Sequence, residues 1–120
     1  MAQIKTAELE GATLDWVVAK CEGYSLHTVE GARVICDRPQ GKHGGLVEAK
    51  FSTDWAQGGP ILEREQIGTK RYWNNPDQWT AEGFRSSAMG RTPLIAAMRC
   101  YVASKLGGAV ELPDELLKGK

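Results

Sequence analysis

Leu14, Val17, Val18 and Cys21 stand at i, i+3, i+4 and i+7, the spacing of one helix face. Thr13 or Ala12 is placed to open this helix and Gly23 to close it. The pattern then changes. Residues 24–30 and 32–38 carry Tyr, Leu, Val, Ile and Thr around Glu30-Gly31, which predicts a hairpin of half-buried strands. Pro39 to Gly45 is glycine-rich and polar and predicts a mobile loop, and Leu46 to Phe51 offers a short third strand. Ser52 or Thr53 can accept hydrogen bonds from free amides at a helix start, and Asp54 suits the positive end of the helix dipole. A short helical turn should follow, ended by Gly58-Gly59. Pro60 then suits the first position of a second short helix anchored by Ile61, Leu62 and Ile67. Residues 69–73 and 78–84 flank Asn74-Asn75-Pro76-Asp77, a turn signal that predicts a second hairpin. Finally, Thr92-Pro93 and Gly107-Gly108 bracket a helix over 93–106.

On that last helix Leu94, Ile95, Met98, Tyr101, Val102 and Leu106 form one broad apolar face. The opposite face holds Ala96, Ala97, Cys100, Ala103 and Ser104, with Arg99 the only charge nearby, where a solvated face would carry several. The first helix has the same doubling, with Ala12, Trp16, Ala19 and Gly23 opposite its apolar stripe. Small residues permit close approach of backbones. The two helices should therefore lie side by side on one face of a sheet, or their small faces should meet a second subunit in a homo-oligomer. The architecture expected is α+β: one small, mostly antiparallel sheet with two long helices packed on it and a short helical double turn.

A chain of 120 residues makes about one domain. It is read as a single domain over 1–120 with a mobile tail at 111–120. Lysine plus arginine equals aspartate plus glutamate at 15 each, so there is no broad electrostatic pull toward nucleic acid or an anionic membrane. Cys21, Cys36 and Cys100 are odd in number and widely spaced, as suits reduced thiols in a bacterial cytoplasm. Without a Cys-x-x-Cys or His-x3-His pair no zinc site is expected. The first residues lack an apolar signal core, and no 18-residue apolar run occurs, so a cytosolic protein is expected.

Candidate chemistry concentrates in the turn-rich segments. Trp55, Tyr72, Trp73 and Trp79 stand near Lys70, Arg71, Arg85 and Arg91 in sequence, a composition suited to a nucleotide or an unstacked base. Ordinary aromatic core with basic side chains reaching outward is the simpler reading and is favoured. Alternation over 70–73 puts Arg71 and Trp73 on one face and Lys70 and Tyr72 on the other, and only one face can be core. Gly58 and Gly59, ahead of a helix start, could offer free amides to an anion, although a plain structural break accounts for them more simply. The candidate ligand-binding residues are therefore Trp55, Gly58, Gly59, Arg71, Trp73 and Arg91. Gly41, Gly44 and Gly45 with Lys42 lack the phosphate-loop spacing. His27 and His43 have no nucleophile motif beside them. Asp54 reads as helix-start chemistry and Glu63 and Glu65 as the solvated side of a short helix. Cys21 and Cys100 read as small buried hydrophobes. The balance is against an enzyme, and no metal or cofactor is expected.

Three ordered blocks carry a family resemblance: Leu-Asp-Trp-Val-Val-Ala-Lys-Cys-Glu-Gly-Tyr at 14–24, Ser-Thr-Asp-Trp-Ala-Gln-Gly-Gly-Pro-Ile-Leu-Glu-Arg-Glu at 52–65, and Thr-Pro-Leu-Ile-Ala-Ala-Met-Arg-Cys-Tyr-Val-Ala-Ser-Lys-Leu-Gly at 92–107. With them the chain resembles the bacteriophage NinX-like family, and their order is similar to broader phage domains described as α-β-α sandwiches. The resemblance implies a small α/β domain encoded by a phage or prophage, and it implies no reaction. The leading expectation is a non-enzymatic phage accessory protein that binds a nucleotide-like small molecule in the host cytoplasm. Sequestering a host defence signal would be one use. The alternatives are a protein-binding inhibitor or adaptor of a host factor, and a metal-dependent hydrolase using Asp54, Glu63 or Glu65.

Overall fold

A computed structural model describes residues 2–30, 33–37 and 45–117. The order of elements is β1 (Ala2–Lys5), a 3-10 turn (Thr6–Glu8), α1 (Gly11–Cys21), β2 (Ser25–Glu30), β3 (Arg33–Asp37), β4 (Leu46–Glu48), α2 (Trp55–Glu65), β5 (Gly68–Arg71), β6 (Trp79–Glu82), β7 (Ser87–Gly90), α3 (Pro93–Leu106), β8 (Ala109–Leu112) and α4 (Asp114–Leu117). The class is α+β, as expected. The strands, however, are divided among three antiparallel sheets, β1-β8, β2-β3-β4 and β5-β6-β7. They do not form one sheet or the middle layer of an α-β-α sandwich.

Helix α3 is the hub. Thr92 Oγ1 accepts from Ile95 N at 3.1 Å, Pro93 occupies the first turn, and Gly107 ends the helix at φ 89°, all as the sequence predicts. The β5-β6-β7 sheet packs on one side of it, and α1 and α2 pack on it as well. Ala96, Ala97 and Cys100 are therefore as buried as Leu94, Met98 and Tyr101. Leu106, in the last turn, is half exposed. The two-faced character of α3 is met inside one chain, so the small faces do not require a second subunit. The β2-β3-β4 sheet covers α1 through buried Val34 and Cys36.

Helix α1 starts at Gly11, earlier than Thr13 or Ala12 alone would place it. Glu10 is its N-cap; Glu10 N donates to Thr13 Oγ1 at 3.3 Å and Thr13 Oγ1 donates to Glu10 O at 2.7 Å, so Thr13 works from inside the first turn. At the other end, Tyr101 is fully buried and its hydroxyl donates to Glu22, which also receives two hydrogen bonds from Arg64 at 2.7 and 3.0 Å. One carboxylate thus ties the C-terminal ends of α1 and α2 to α3. Burial, then donation to Glu22, pushes the Tyr101 phenol well above its ordinary pKa. Tyr101→Phe is expected to lower the unfolding free energy by about 1.5 kcal/mol, the scale of a hydrogen bond to a charged group. A denaturant titration with an unchanged midpoint would show that this bond contributes nothing.

The largest local departure is α2. The two short helices expected on either side of Gly58-Gly59 are one continuous helix, with Pro60 inside it. Pro60 lacks the donor that would reach the carbonyl of Ala56, but that is one bond close to the first turn. Gly58 is buried for a different reason: a Cβ there would lie 2.5 Å from Phe51 O and 2.6 Å from Leu94 Cδ1. The glycine marks close packing onto the core, and Ile61, buried in the next turn, anchors the helix beyond it.

The first hairpin pairs as expected, with a register shift between Leu26 and Thr28. Its turn at Gly31 lies outside the described residues, as does the expected loop through 38–44 with Gly41, Lys42, His43 and Gly44. Strand β4 stops at Glu48, short of Phe51. Three strands, β1, β7 and β8, have no counterpart among the elements predicted from sequence. β7 follows the second hairpin as its third strand. β8 pairs with β1, Ala2 opposite Leu112 and Ile4 opposite Val110, and Thr6 fastens the junction by donating from N to Gly108 O and from Oγ1 to Gly107 O. Of the segment expected as a mobile tail, Leu112 and Leu116 are buried, and 118–120 lie outside the described residues.

Candidate functional site

Register decides which side chains of the β5-β6-β7 sheet can meet. Arg71 lies opposite Trp79 and Trp79 opposite Gly90, while Lys70 lies opposite Thr80 and Thr80 opposite Met89. Alternation therefore separates two faces. Trp79 and Gly90 of the first row belong with buried Ala81, against α3, where a Cβ on Gly90 would come within 2.7 Å of Ala96 N, while Arg71 at the strand end is exposed. The Lys70-Thr80-Met89 row looks outward. One residue further along each strand, Tyr72, Gln78 and Arg91 continue the outward row and stand side by side at one end of the sheet.

Local chemistry holds that end in place. Tyr72 N donates to Gln78 O at 2.8 Å, Gln78 N to Asn75 O at 3.1 Å, and Asp77 N to Asn75 Oδ1 at 3.0 Å, so the Asn-Asn-Pro-Asp turn closes on its own side chain. Across the sheet, Gln78 Nε2 contacts Met89 Sδ at 3.6 Å. Behind β7, Arg99 reaches out of α3. Its Nε donates to Leu9 O at 2.7 Å and its Nη1 to Met89 O at 2.8 Å, and its Nη2 lies 3.9 Å from Glu10 Oε2. Glu10 in turn accepts from Arg91 Nη2 at 2.9 Å. Burial, and secondarily the neighbouring Arg91, lower the pKa of Arg99, opposed by Glu10; a guanidinium remains charged under such shifts. The outward row opens on a groove of about 830 Å³ lined by Tyr72, Gln78, Thr80, Met89, Arg91 and Arg99 among others. Asp77 and Glu82 also border it. Such a groove can hold an aromatic ring on Tyr72, hydrogen-bond its edge through Gln78 or Thr80, and place an anion beside Arg91.

Of the six residues singled out from sequence, Arg91 lines this groove and the other five do not. Arg71 has the wrong parity. Trp73 lies beyond β5 in the turn and is 86 % exposed, 6.3 Å from the Tyr72 ring. Trp55, 52 % exposed, is the first residue of α2, and a Cβ on Gly59 would lie 3.8 Å from its Cε3, so those two meet each other on the helix surface. Gly58 N donates to Asp54 O inside the helix and is not available to an anion; the helix start is instead capped by Asp54 Oδ1, which accepts from Ala56 N at 2.9 Å. Trp79 is partly buried against the core. The groove residues not anticipated are Gln78, Thr80, Met89 and Arg99. Arg99 had a signal, a single charge on a helix face of small residues.

Of the carboxylates considered for a hydrolase, Asp54 is a cap, Glu65 accepts from Arg64 Nε at 2.8 Å and lies 3.9 Å from Lys105 Nζ, and Glu63 is exposed on α2. Among the described residues no three His, Cys, Asp or Glu side chains gather as a metal would require. Among the same residues no helix is long and apolar enough to cross a membrane.

Comparison with curated proteins finds no match. A family model described as bacteriophage P22, NinX matches residues 5–105, a span that runs from the end of β1 to the last turn of α3 and includes the whole β5-β6-β7 sheet. With most of its length inside that match, the chain belongs to the bacteriophage P22 NinX family.

Proposed function

We propose that this phage protein works in the host cytoplasm by binding, and that the groove over β5-β6-β7 takes a nucleotide-like small molecule, for which sequestration of a host defence signal is one use. The observation that carries the reading is the side-by-side placement of Tyr72, Gln78 and Arg91 at the end of three strands, with Arg99 behind them. An aromatic face, an amide able to donate and accept, and a guanidinium are the groups that a base and its phosphate require. The volume of about 830 Å³ lies within the range of small-molecule sites. Glu10 holds Arg91 in the free protein, so an incoming phosphate replaces an existing carboxylate partner.

Thermal-shift titration with nucleoside mono-, di- and triphosphates and cyclic nucleotides tests this. At least one should raise the melting temperature, since a ligand at 100 times its dissociation constant adds about 2.7 kcal/mol. The shift should vanish in Tyr72→Ala and shrink in Arg91→Gln, and it should persist in Trp55→Ala. No shift with any nucleotide overturns the proposal. The adaptor reading draws on Trp73 and on Phe84, which is 92 % exposed. Those rings stand in the turns at opposite ends of β6, which does not make one contiguous apolar patch.

A further inference from the structure

At the far end of the same sheet from Arg91, the β6–β7 turn encloses a second cavity of about 370 Å³ against the C-terminal half of α3. The turn is tied down at several points. Gly83 N donates to Ser86 O at 2.9 Å, Ser86 Oγ to Cys100 O at 2.7 Å, and Cys100 Sγ to Ser86 O at 3.3 Å. Gly83 itself sits on the helix: a Cβ there would lie 3.3 Å from Cys100 Sγ and 3.5 Å from Ile67 Cγ1. The tip, Phe84-Arg85, is therefore held at the mouth of the cavity by bonds that involve neither of its own side chains.

Phe84 is the most exposed large hydrophobic side chain among the described residues, at 92 %. Arg85 makes no hydrogen bond or ion pair among the described residues. Lys105, on the opposite wall, makes no hydrogen bond among the described residues; Glu65 lies 3.9 Å from it and the Tyr101 ring is beneath it at 5.8 Å. The hydroxyls of Ser86 and Ser104 donate inward, to Cys100 O and to Tyr101 O at 2.6 Å, so neither is available to donate to an anion. Glu65 also lines the cavity, but its carboxylate is already held by Arg64 Nε at 2.8 Å. Arg85 and Lys105 on two walls, an uncovered ring at the mouth and an apolar floor of Ile67 and Cys100 then suit a ligand that is flat and apolar at one end and anionic at the other. We infer that this cavity is a second binding site, independent of the groove, for a small aromatic ring bearing a single oxyanion group, stacked on Phe84 and held by Arg85 and Lys105.

The test is an amide-resolved NMR titration of the full chain with phenyl phosphate and with benzoate, using benzylamine as a ring of opposite charge. At least one anion should give saturable shifts at Gly83–Ser86 and Cys100–Lys105, and the anion that binds names the group the site prefers. Arg85→Gln should weaken that binding about tenfold, as loss of one charge-assisted contact does. Arg91→Gln, in the groove, should leave it unchanged, so failure of the groove proposal and failure of this one are separable. The inference is overturned by absence of saturable shifts with both anions, by equal binding of benzylamine, or by unaltered binding in Arg85→Gln.

Discussion

Gly90→Ala is expected to destabilise the protein by roughly 3 kcal/mol, at the upper end of ordinary overpacking. A Cβ at this position would fall 2.7 Å from Ala96 N, 2.8 Å from Ile95 Cγ2 and 3.1 Å from Ala96 Cα. Two of those atoms are helix backbone, so no side-chain rotation relieves the clash, and β7 must move away from α3. That displacement also carries Met89 O away from Arg99 Nη1, now at 2.8 Å, and leaves a half-buried guanidinium short of a partner. Chemical denaturation of Gly90→Ala beside Gly68→Ala provides the comparison. Gly68 belongs to the same sheet, but a Cβ there meets nothing within 4 Å, so that variant should stay within about 0.5 kcal/mol of the parent. Equal stability of the two variants would mean that β7 and α3 are not in the close contact described.

The second large effect is a dependence on pH through Asp15. This carboxyl is buried on α1 and accepts from Ser52 N at 2.8 Å. Burial pushes its pKa up from 3.8 to about 6, with a smaller contribution from the Glu48 carboxylate, against the opposing effect of the Ser52 hydrogen bond. A folded-state pKa above the unfolded value means that the folded protein binds the proton more tightly. The resulting stabilisation is complete below the unfolded pKa and is lost as the pH rises through the folded one, an amount of roughly 3 kcal/mol. Asp15→Asn keeps an acceptor for Ser52 N and cannot ionise. Relative to the parent, the variant should therefore be more stable by roughly 3 kcal/mol more at about pH 7.5 than at about pH 3.5. A stability difference that stays flat across that range would show that Asp15 titrates as an ordinary exposed carboxylate.

Parity along the strands decides which side chains reach the groove. Alternation over 70–73 separated Arg71 and Trp73 from Lys70 and Tyr72 correctly, but which row faced the helix depended on Gly90 and Ala81, whose partners lie in α3. With α3 against the Trp79-Gly90 row, the aromatic and basic side chains that reach the outward groove are Tyr72 and Arg91, while Arg71 and Trp73 are exposed outside it. Gly58-Gly59 was misread for a related reason. Glycine next to proline is the usual mark of a chain break, yet at Gly58 the missing Cβ allows contact with Phe51 O and with Leu94, which only the fold brings near. Asp54, by contrast, was legible as a helix-start residue, because capping acts between neighbours in the chain.

The amino-acid sequence by itself determined α3 with its Thr92 cap and Gly107 stop, the end of α1 at Gly23, both hairpins, the class of the fold and the family blocks. Each of these rests on interactions within a few residues, or on a periodic pattern that survives without a partner. Only the tertiary structure decided that β1 pairs with β8 across the length of the chain, that α2 runs through Pro60, that the strands divide into three sheets, one packed on α3 and another on α1, and that Tyr72, Gln78, Arg91 and Arg99 share one groove. Four-residue strands and a proline-containing helix are not stable alone. They exist because distant side chains bury them, and the choice of burying surface is a property of the whole packed chain.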